Sequence, residues 1–230
     1  MKKRIIVLSL GGSLIIPDNI NTKYLKDFRK VILKNIKKYK FIIVCGGGSI
    51  ARRYISALRE VNMHEDLQSF SGISATRMNA RFMSYFFNIN PKMGIPHTME
   101  VLKKYIKQQD VVFCGALEYK PNQTSDSTAA EIARKFRTDF INLTDVAGLF
   151  NKNPKEHRDA KFIPEISWKG FNEMINKTKF MPGQHFVLDQ TAAKMIMKGR
   201  IKTYILGEDM SQLDNLLKGK KFKGTAIGDF

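Results

Sequence analysis

The chain is poor in cysteine, acid and long apolar runs. Its two cysteines, Cys45 and Cys114, cannot form a disulfide framework. Each ends an apolar run, which marks them as buried thiols of a reducing cytosol. No apolar stretch reaches the roughly 18 residues of a membrane span. Lys2, Lys3 and Arg4 before "IIVLSL" imitate the start of a signal peptide. The run is short, however, "GG" breaks it and no small-residue cleavage site follows, so a buried first strand is expected. His64, His97, His157 and His185 share no ligand spacing, which argues against a transition metal held by the protein. His185, close to Asp189, is expected to orient a loop. G-x-x-x-x-G-K-[ST] and G-x-G-x-x-G are both missing, which excludes a Walker-type NTPase and an ordinary dinucleotide fold. Zinc-finger, RNP and basic-zipper patterns are absent as well.

Acid is scarce: 21 Asp plus Glu stand against 39 Lys plus Arg, a formal charge of +18. Such a balance attracts anions. The basic residues are dispersed, with groups at 34–40, 103–107, 198–202 and 218–223, and they sit among helix-like polar positions. They are expected to form a solvated basic surface, with no dedicated nucleic-acid site.

The 230 residues are 43% hydrophobic, enough for one large α/β domain or two small lobes. Strands are expected at Arg4–Leu10, Phe41–Cys45, in "VVFCGA", at Asp139–Leu143, in "KTYILG" and in "GTAIG". Helices are expected at Lys23–Tyr39, Ser49–Glu60, Ser125–Phe136, Trp168–Asn176, Thr191–Lys198 and Met210–Lys218. Gly148–Pro164 reads as loop. This alternation implies a largely parallel sheet covered on both faces, with the N- and C-terminal lobes meeting near Gly115–Asp126. Ser167 is a plausible N-cap for the helix that Trp168 begins. The methionines, among them Met78, Met83, Met195 and Met197, read mostly as core filler. Phe82, Phe86 and Phe87 suit either core packing or assembly.

Two strands end in glycine, in "LSLGGSL" and "IIVCGGGSIAR". Ligands of a parallel sheet bind beyond the carboxyl ends of its strands. Glycine lets backbone N–H groups approach an anion, and the helix after Gly48 turns its N-terminus to the same place. Arg52, one turn in, can grip phosphate oxygens bidentately. "TSD", Thr124 to Asp126, opens another helix. It reads as an N-cap, a phosphate site, or both, since the same free N–H groups serve either role.

Six segments then occur in a familiar order: "SLGGSLI", "CGGGSIARRYI", "GISATRMNAR", "NQTSDSTAAEIA", "LTDVAGLF" with "NP" after it, and "HFVLDQTAAKMI". From Ile5 to Ile227 the chain resembles the amino acid kinase superfamily, most closely its archaeal-type UMP kinases. The resemblance implies an α/β fold, an αβα sandwich around a mainly parallel central sheet. About 1–120 would form the acceptor-binding and oligomerisation lobe and about 121–230 the ATP-binding lobe. It implies transfer of the ATP γ-phosphate to UMP with Mg²⁺, in the cytoplasm, by a homo-oligomer: a hexamer built as a trimer of dimers, or a dimer. Gly11, Gly12, Ser13, Gly48, Arg52, Thr144, Asp145, Phe150 and Asn153 would hold ATP. Gly47, Ser69, Arg77, Gln123, Thr124 and Ser125 would hold UMP. Asp126, Arg52, Gly12 and Lys194 would act in catalysis, with Asp126 as organiser.

The chain departs from the family pattern in several places. Ser69 stands where an aspartate often holds the UMP ribose. Asn122 and Gln123 precede Thr124 in place of the usual "GH". Phe150 and Asn153 replace a tyrosine and an aspartate. Ser9 stands where many of these kinases carry a lysine, and the segment from Ala116 to Gln123 is about two residues long for the family. Two alternatives follow: a kinase of this superfamily acting on another small phosphate or carboxylate acceptor, and a catalytically weak nucleotide- or RNA-binding homologue. Isopentenyl phosphate kinases carry a histidine near the glycine loop, which "GGGSIARR" lacks.

Overall fold

The structure is a computed structural model that describes residues 3–120, 123–177 and 187–229. In chain order the elements are β1 (Arg4–Leu10), α1 (Gly12–Ile15), α2 (Thr22–Asn35), β2 (Tyr39–Cys45), α3 (Gly48–Glu60), α4 (Glu65–Phe86), α5 (Met99–Gln108), β3 (Val111–Cys114) and α6 (Ser125–Phe136). They continue with β4 (Phe140–Leu143), β5 (Leu149–Phe150), β6 (Phe162–Ile163), β7 (Glu165–Ile166), α7 (Trp168–Lys177), α8 (Gln190–Gly199), β8 (Thr203–Leu206), α9 (Met210–Leu217) and β9 (Thr225–Ile227). The main sheet has the order β3-β2-β1-β4-β8-β9-β7. Every neighbouring pair is parallel except β8 and β9.

Strand residues alternate between two cores. Ile6, Leu8, Leu10, Phe41, Ile43 and Cys45 face α1, α2, α9 and the C-terminal half of α4. Val7, Ile42, Val44, Val112 and Cys114 face α5, α6, α7 and α8. Both strand cysteines are free and buried. Burial pushes the Cys114 thiol up to about 12 and raises Cys45 as well, so both stay protonated at neutral pH.

Most expected elements appear within a few residues of their expected ends. Three readings change. The helix expected over Lys23–Tyr39 stops at Asn35, whose amide donates to Val31 O and to Asp214, and Tyr39 already pairs with β1. α4 and α5 go unmarked in the sequence pattern. On α4 the buried positions are largely small or polar, such as Ala75, Thr76, Asn79 and Ala80, so no apolar stripe announces the helix. Gly148–Pro164 encloses the small antiparallel pair β5 and β6.

Phe87 is buried, set edge-on to both Phe28 and Phe113, and Phe82 and Phe86 pack partly against the same core. The aromatic cluster therefore faces inward. Met83 fills the core, but Met78 is 64% exposed. Ser167 accepts the Gly170 amide at 3.1 Å, and the Trp168 indole donates to Ile201 O. Both residues thus have structural roles.

The carboxyl ends of β1 and β2 run into glycine loops that touch backbone to backbone. A Cβ on Gly12 would lie 2.0 Å from the Gly48 nitrogen, and one on Gly46 would lie 2.5 Å from the Gly12 nitrogen. Gly48 has φ +62°, which disfavours a side chain independently of space. Ser49 locks the junction by donating from both its amide and its hydroxyl to Ile16 O. Gly12→Ala should separate the loops at a cost of roughly 1–3 kcal/mol or more, the scale of overpacking a tight site. Urea unfolding should show the loss, and a variant as stable as the parent would contradict the contact.

Candidate active site

A cavity of about 470 Å³ opens at the carboxyl ends of β1, β2 and β4. Its lip is built from both glycine loops. Here the first amides of α3 lack intrahelical partners and favour an anion. Arg52 stands exposed on α3 and lines the opening. Ser125 and Asp126, in the first turn of α6, face the loops across the cavity.

Asp126 is the organised carboxylate of the site. Ser9, fully buried on β1, donates its hydroxyl to Asp126 Oδ1 at 2.6 Å. Burial pushes the Asp126 carboxyl up to about 7, the Ser9 hydrogen bond opposes that rise, and the charge of Asp189 adds to it. Asp189 caps α8 by accepting the Ala192 amide at 2.8 Å. Thr124 caps α6 by accepting the amides of Asp126 and Ser127, and donates its own hydroxyl to Asp189 at 2.5 Å. Ser127 returns the capping bond to the Thr124 amide at 2.7 Å. Thr124 thus joins two helix starts, and its one hydroxyl proton is already donated.

Thr144, Asp145, Phe150 and Asn153 form the far wall. Burial alone would raise the Asp145 carboxyl. The Lys155 ammonium and the Thr144 hydroxyl, both hydrogen-bonded to it, bring it below the usual carboxylate range. Phe150 meets Phe162 edge-on at 5.4 Å, across β5 and β6. Asn153 folds its loop by accepting the Lys155 amide and donating to Glu156.

The cavity therefore gathers Gly11, Gly12, Ser13, Gly47, Gly48, Arg52, Ser125, Asp126, Thr144, Asp145, Phe150 and Asn153. The other expected residues lie outside its walls. Ser69 is exposed on α4, and Lys194 is exposed on α8. The Arg77 guanidinium is turned onto the carbonyls of Ala116 and Leu117. The Gln123 amide donates to Glu131, which also pairs with Lys120. Asn122 and His185 fall outside the described residues.

Three wall residues escape a reading by motif. Asn142 on β4 is 2% exposed and donates to Val187 O. It lies beside Ser9 in register, and a polar residue inside the apolar run "FINL" is the signal that could have found it. Lys155 and His157 belong to a loop with no local signature. Among the described residues no group of three or more His, Cys, Asp or Glu is placed to hold a metal ion. Its described walls offer single carboxylates, backbone amides, one guanidinium, the Lys152 and Lys155 ammonium groups and His157. Such a set can position and screen an anionic reactant.

The model of the amino acid kinase family matches residues 4–207. A uridylate kinase of Thermoplasma volcanium is 35% identical over 225 residues, which is 96% of each chain. One from Archaeoglobus fulgidus is 31% identical over 224 residues, or 97% of each. The crystal structure of uridylate kinase from Archaeoglobus fulgidus superposes with a TM-score of 0.83 at 30% identity, covering 97% of this chain and 99% of that one. That of a UMP kinase from Ureaplasma parvum, 23% identical with a TM-score of 0.78, shares the fold.

The elevated Asp126 carboxyl predicts a trade between stability and charge. The folded chain keeps this proton up to about pH 7, whereas the unfolded chain loses it near 3.8. Between those values the native state holds more protons, so stability falls as pH rises. Substrate-free Asp126→Asn should lose that slope and melt above the parent at pH 8. Melting curves at pH 5 and pH 8 check this; a variant that melts lower at pH 8 would overturn the burial argument.

Proposed function

The chain belongs to the amino acid kinase family, and we propose that it is a UMP kinase of the archaeal type, transferring the ATP γ-phosphate to UMP to give UDP. The observation that carries the reading is the single cavity in which both glycine loops, Arg52 and the start of α6 converge. Full-length similarity to uridylate kinases supports it.

Phosphoryl transfer needs in-line placement and screening of charge, with little covalent chemistry. Gly11, Gly12, Ser13, Gly48 and Arg52 hold the ATP phosphates through backbone amides and one guanidinium. Thr144, Asp145, Phe150 and Asn153 receive the remainder of ATP. Gly47 and Ser125, the latter with its backbone amide at the start of α6, receive the UMP phosphate. Thr124 contributes by fixing that helix start. Asp126 carries no phosphate, since like charges repel; it orients cations around the group in flight. Mg²⁺ entering with ATP suits these hard oxygen donors, and it would hold the Asp126 carboxyl ionised. Arg77 steadies the β3–α6 connection on the acceptor side. On this reading, the part up to about residue 120 binds the acceptor and assembles, and the rest binds ATP. Pyrimidine nucleotide synthesis in the cytoplasm is the corresponding setting. Among the described residues no helix is long and apolar enough to cross a membrane.

A second reading rests on one observation. Ser69, Arg77 and Gln123 do not line the cavity, so the side that would read ribose and base is weakly specified. Another small phosphate or carboxylate acceptor is the alternative.

One assay decides between them. ADP release should be fastest with UMP among UMP, CMP, acetylglutamate and isopentenyl phosphate; turnover of another acceptor alone favours the second reading, and no turnover at all leaves a binding protein. In the same assay Arg52→Ala should lose roughly 10²-fold or more in kcat/KM, the scale of a lost electrostatic contact at a reacting centre. Arg52→Lys should recover only part, because the bidentate fork is gone.

Assembly involves a different surface from the aromatic cluster. Tyr54 on α3 and Leu67, Phe70, Met78 and Tyr85 on α4 are each about half exposed or more, between 47% and 64%. Exposed apolar residues on two packed helices fit a subunit interface. Light scattering at micromolar concentration should give a dimer or hexamer, and Phe70→Glu with Met78→Glu should shift the mass downward. A strictly monomeric parent would reject assembly.

A further inference from the structure

On the outer side of α2, away from the catalytic cavity, lies an open groove of about 680 Å³. Lys26, Arg29, Lys30 and Lys34 border it, Leu33 and Phe86 supply apolar wall, and no acidic residue lines it. α2 turns Leu25, Phe28 and Ile32 to the core, which leaves the lysines at the intervening positions on its open side. Four cations from one face of α2 thus border a depression whose apolar wall comes from Leu33 and Phe86.

Their pairing is incomplete. Lys34 reaches Asp214 at 3.1 Å, but Lys218 holds that carboxylate at 2.5 Å and Asn35 also donates to it. Among the described residues no carboxylate pairs with Lys26, Arg29 or Lys30. Arg29 stands over the Phe87 ring, 6.0 Å from its centre, and its Nε is buried without a hydrogen-bond partner. A cation held against an aromatic face with an N–H unmet is costly unless an acceptor arrives. Evenly spread surface charge would not leave such a gap. The helix, the end of α4 and the ring together hold the guanidinium at the groove edge.

We infer that this groove is a second anion site, shaped for a triphosphate chain, with Arg29 and the three lysines on the phosphates. Arg29 offers a planar fork to phosphate oxygens, and the lysines act as point charges. A nucleoside triphosphate and an inorganic polyphosphate share this chemistry. They differ in whether a ring also uses Leu33 and Phe86. The inference is independent of the UMP kinase reading, because none of these residues belongs to the catalytic cavity.

Calorimetric titration with a non-hydrolysable ATP analogue should show two binding events per chain. In Lys26→Glu with Lys30→Glu the second should weaken by about tenfold or more, as expected when two charges near a phosphate are reversed. ADP release by the double variant should stay within about twofold of the parent, which separates this site from the catalytic one. With the catalytic cavity saturated by the analogue at a concentration that leaves the second event open, inorganic tripolyphosphate should bind the parent but not the variant. Equal affinity for tripolyphosphate and the analogue assigns the groove to phosphate alone, and tighter analogue binding adds the ring. Raising salt from 50 to 300 mM should weaken the second event. A parent in which charge reversal removes no binding event overturns the inference; a single event that the reversal abolishes keeps the groove site and counts instead against ATP in the catalytic cavity. Lys26→Gln with Lys30→Gln provides the same test if charge reversal impairs folding.

Discussion

Everything in the candidate active site depends on two strands whose following loops touch backbone to backbone. β1 and β2 are parallel neighbours, so their carboxyl ends emerge side by side and both chains must turn at once. Side chains at Gly12, Gly46 or Gly48 would occupy the same space. With none there, the starts of α1 and α3 draw together, and the N-terminus of α3 opens on one cavity instead of two separate turns. The glycines therefore serve packing first, and anion binding follows from the geometry that packing imposes.

A second layer holds the opposite lip. Ser9 on β1 grips Asp126 on α6, and Thr124 joins the start of α6 to Asp189 at the start of α8. Ser9 stands where many of these kinases carry a lysine. A neutral hydroxyl orients the carboxylate without neutralising it, so burial lifts its proton affinity. A cation bound beside it would relieve the same cost.

Polar groups in and around the cavity mostly hold the chain itself. The far wall is tied by Lys155 to Asp145, Phe150 to Phe162 and Asn153 to its own loop. Outside the cavity, Arg77 donates to the Ala116 and Leu117 carbonyls and Gln123 to Glu131. Tyr119 reaches Asp66 and lies against Phe70, binding the same connection to α4.

The sequence alone determined the alternation of strand and helix, since a parallel sheet buried on both faces requires apolar runs between amphipathic helices. It also marked the two glycine loops and the cap at Thr124, because glycine after a buried strand and Thr-Ser-Asp before a helix have few physical uses, whereas Thr144, Asp145, Phe150 and Asn153 were indicated only by the resemblance to the amino acid kinases. Other features were settled only by tertiary structure. α4 was hidden because small and polar residues make its buried face. Ser9 and Asn142 were brought together only when register placed them side by side, and only the fold showed Arg77 on the Ala116 and Leu117 carbonyls and Gln123 on Glu131. Basic residues that look merely dispersed along the chain are gathered by α2 around Phe86, since a helix brings positions three and four apart onto one face and the fold chooses what that face meets.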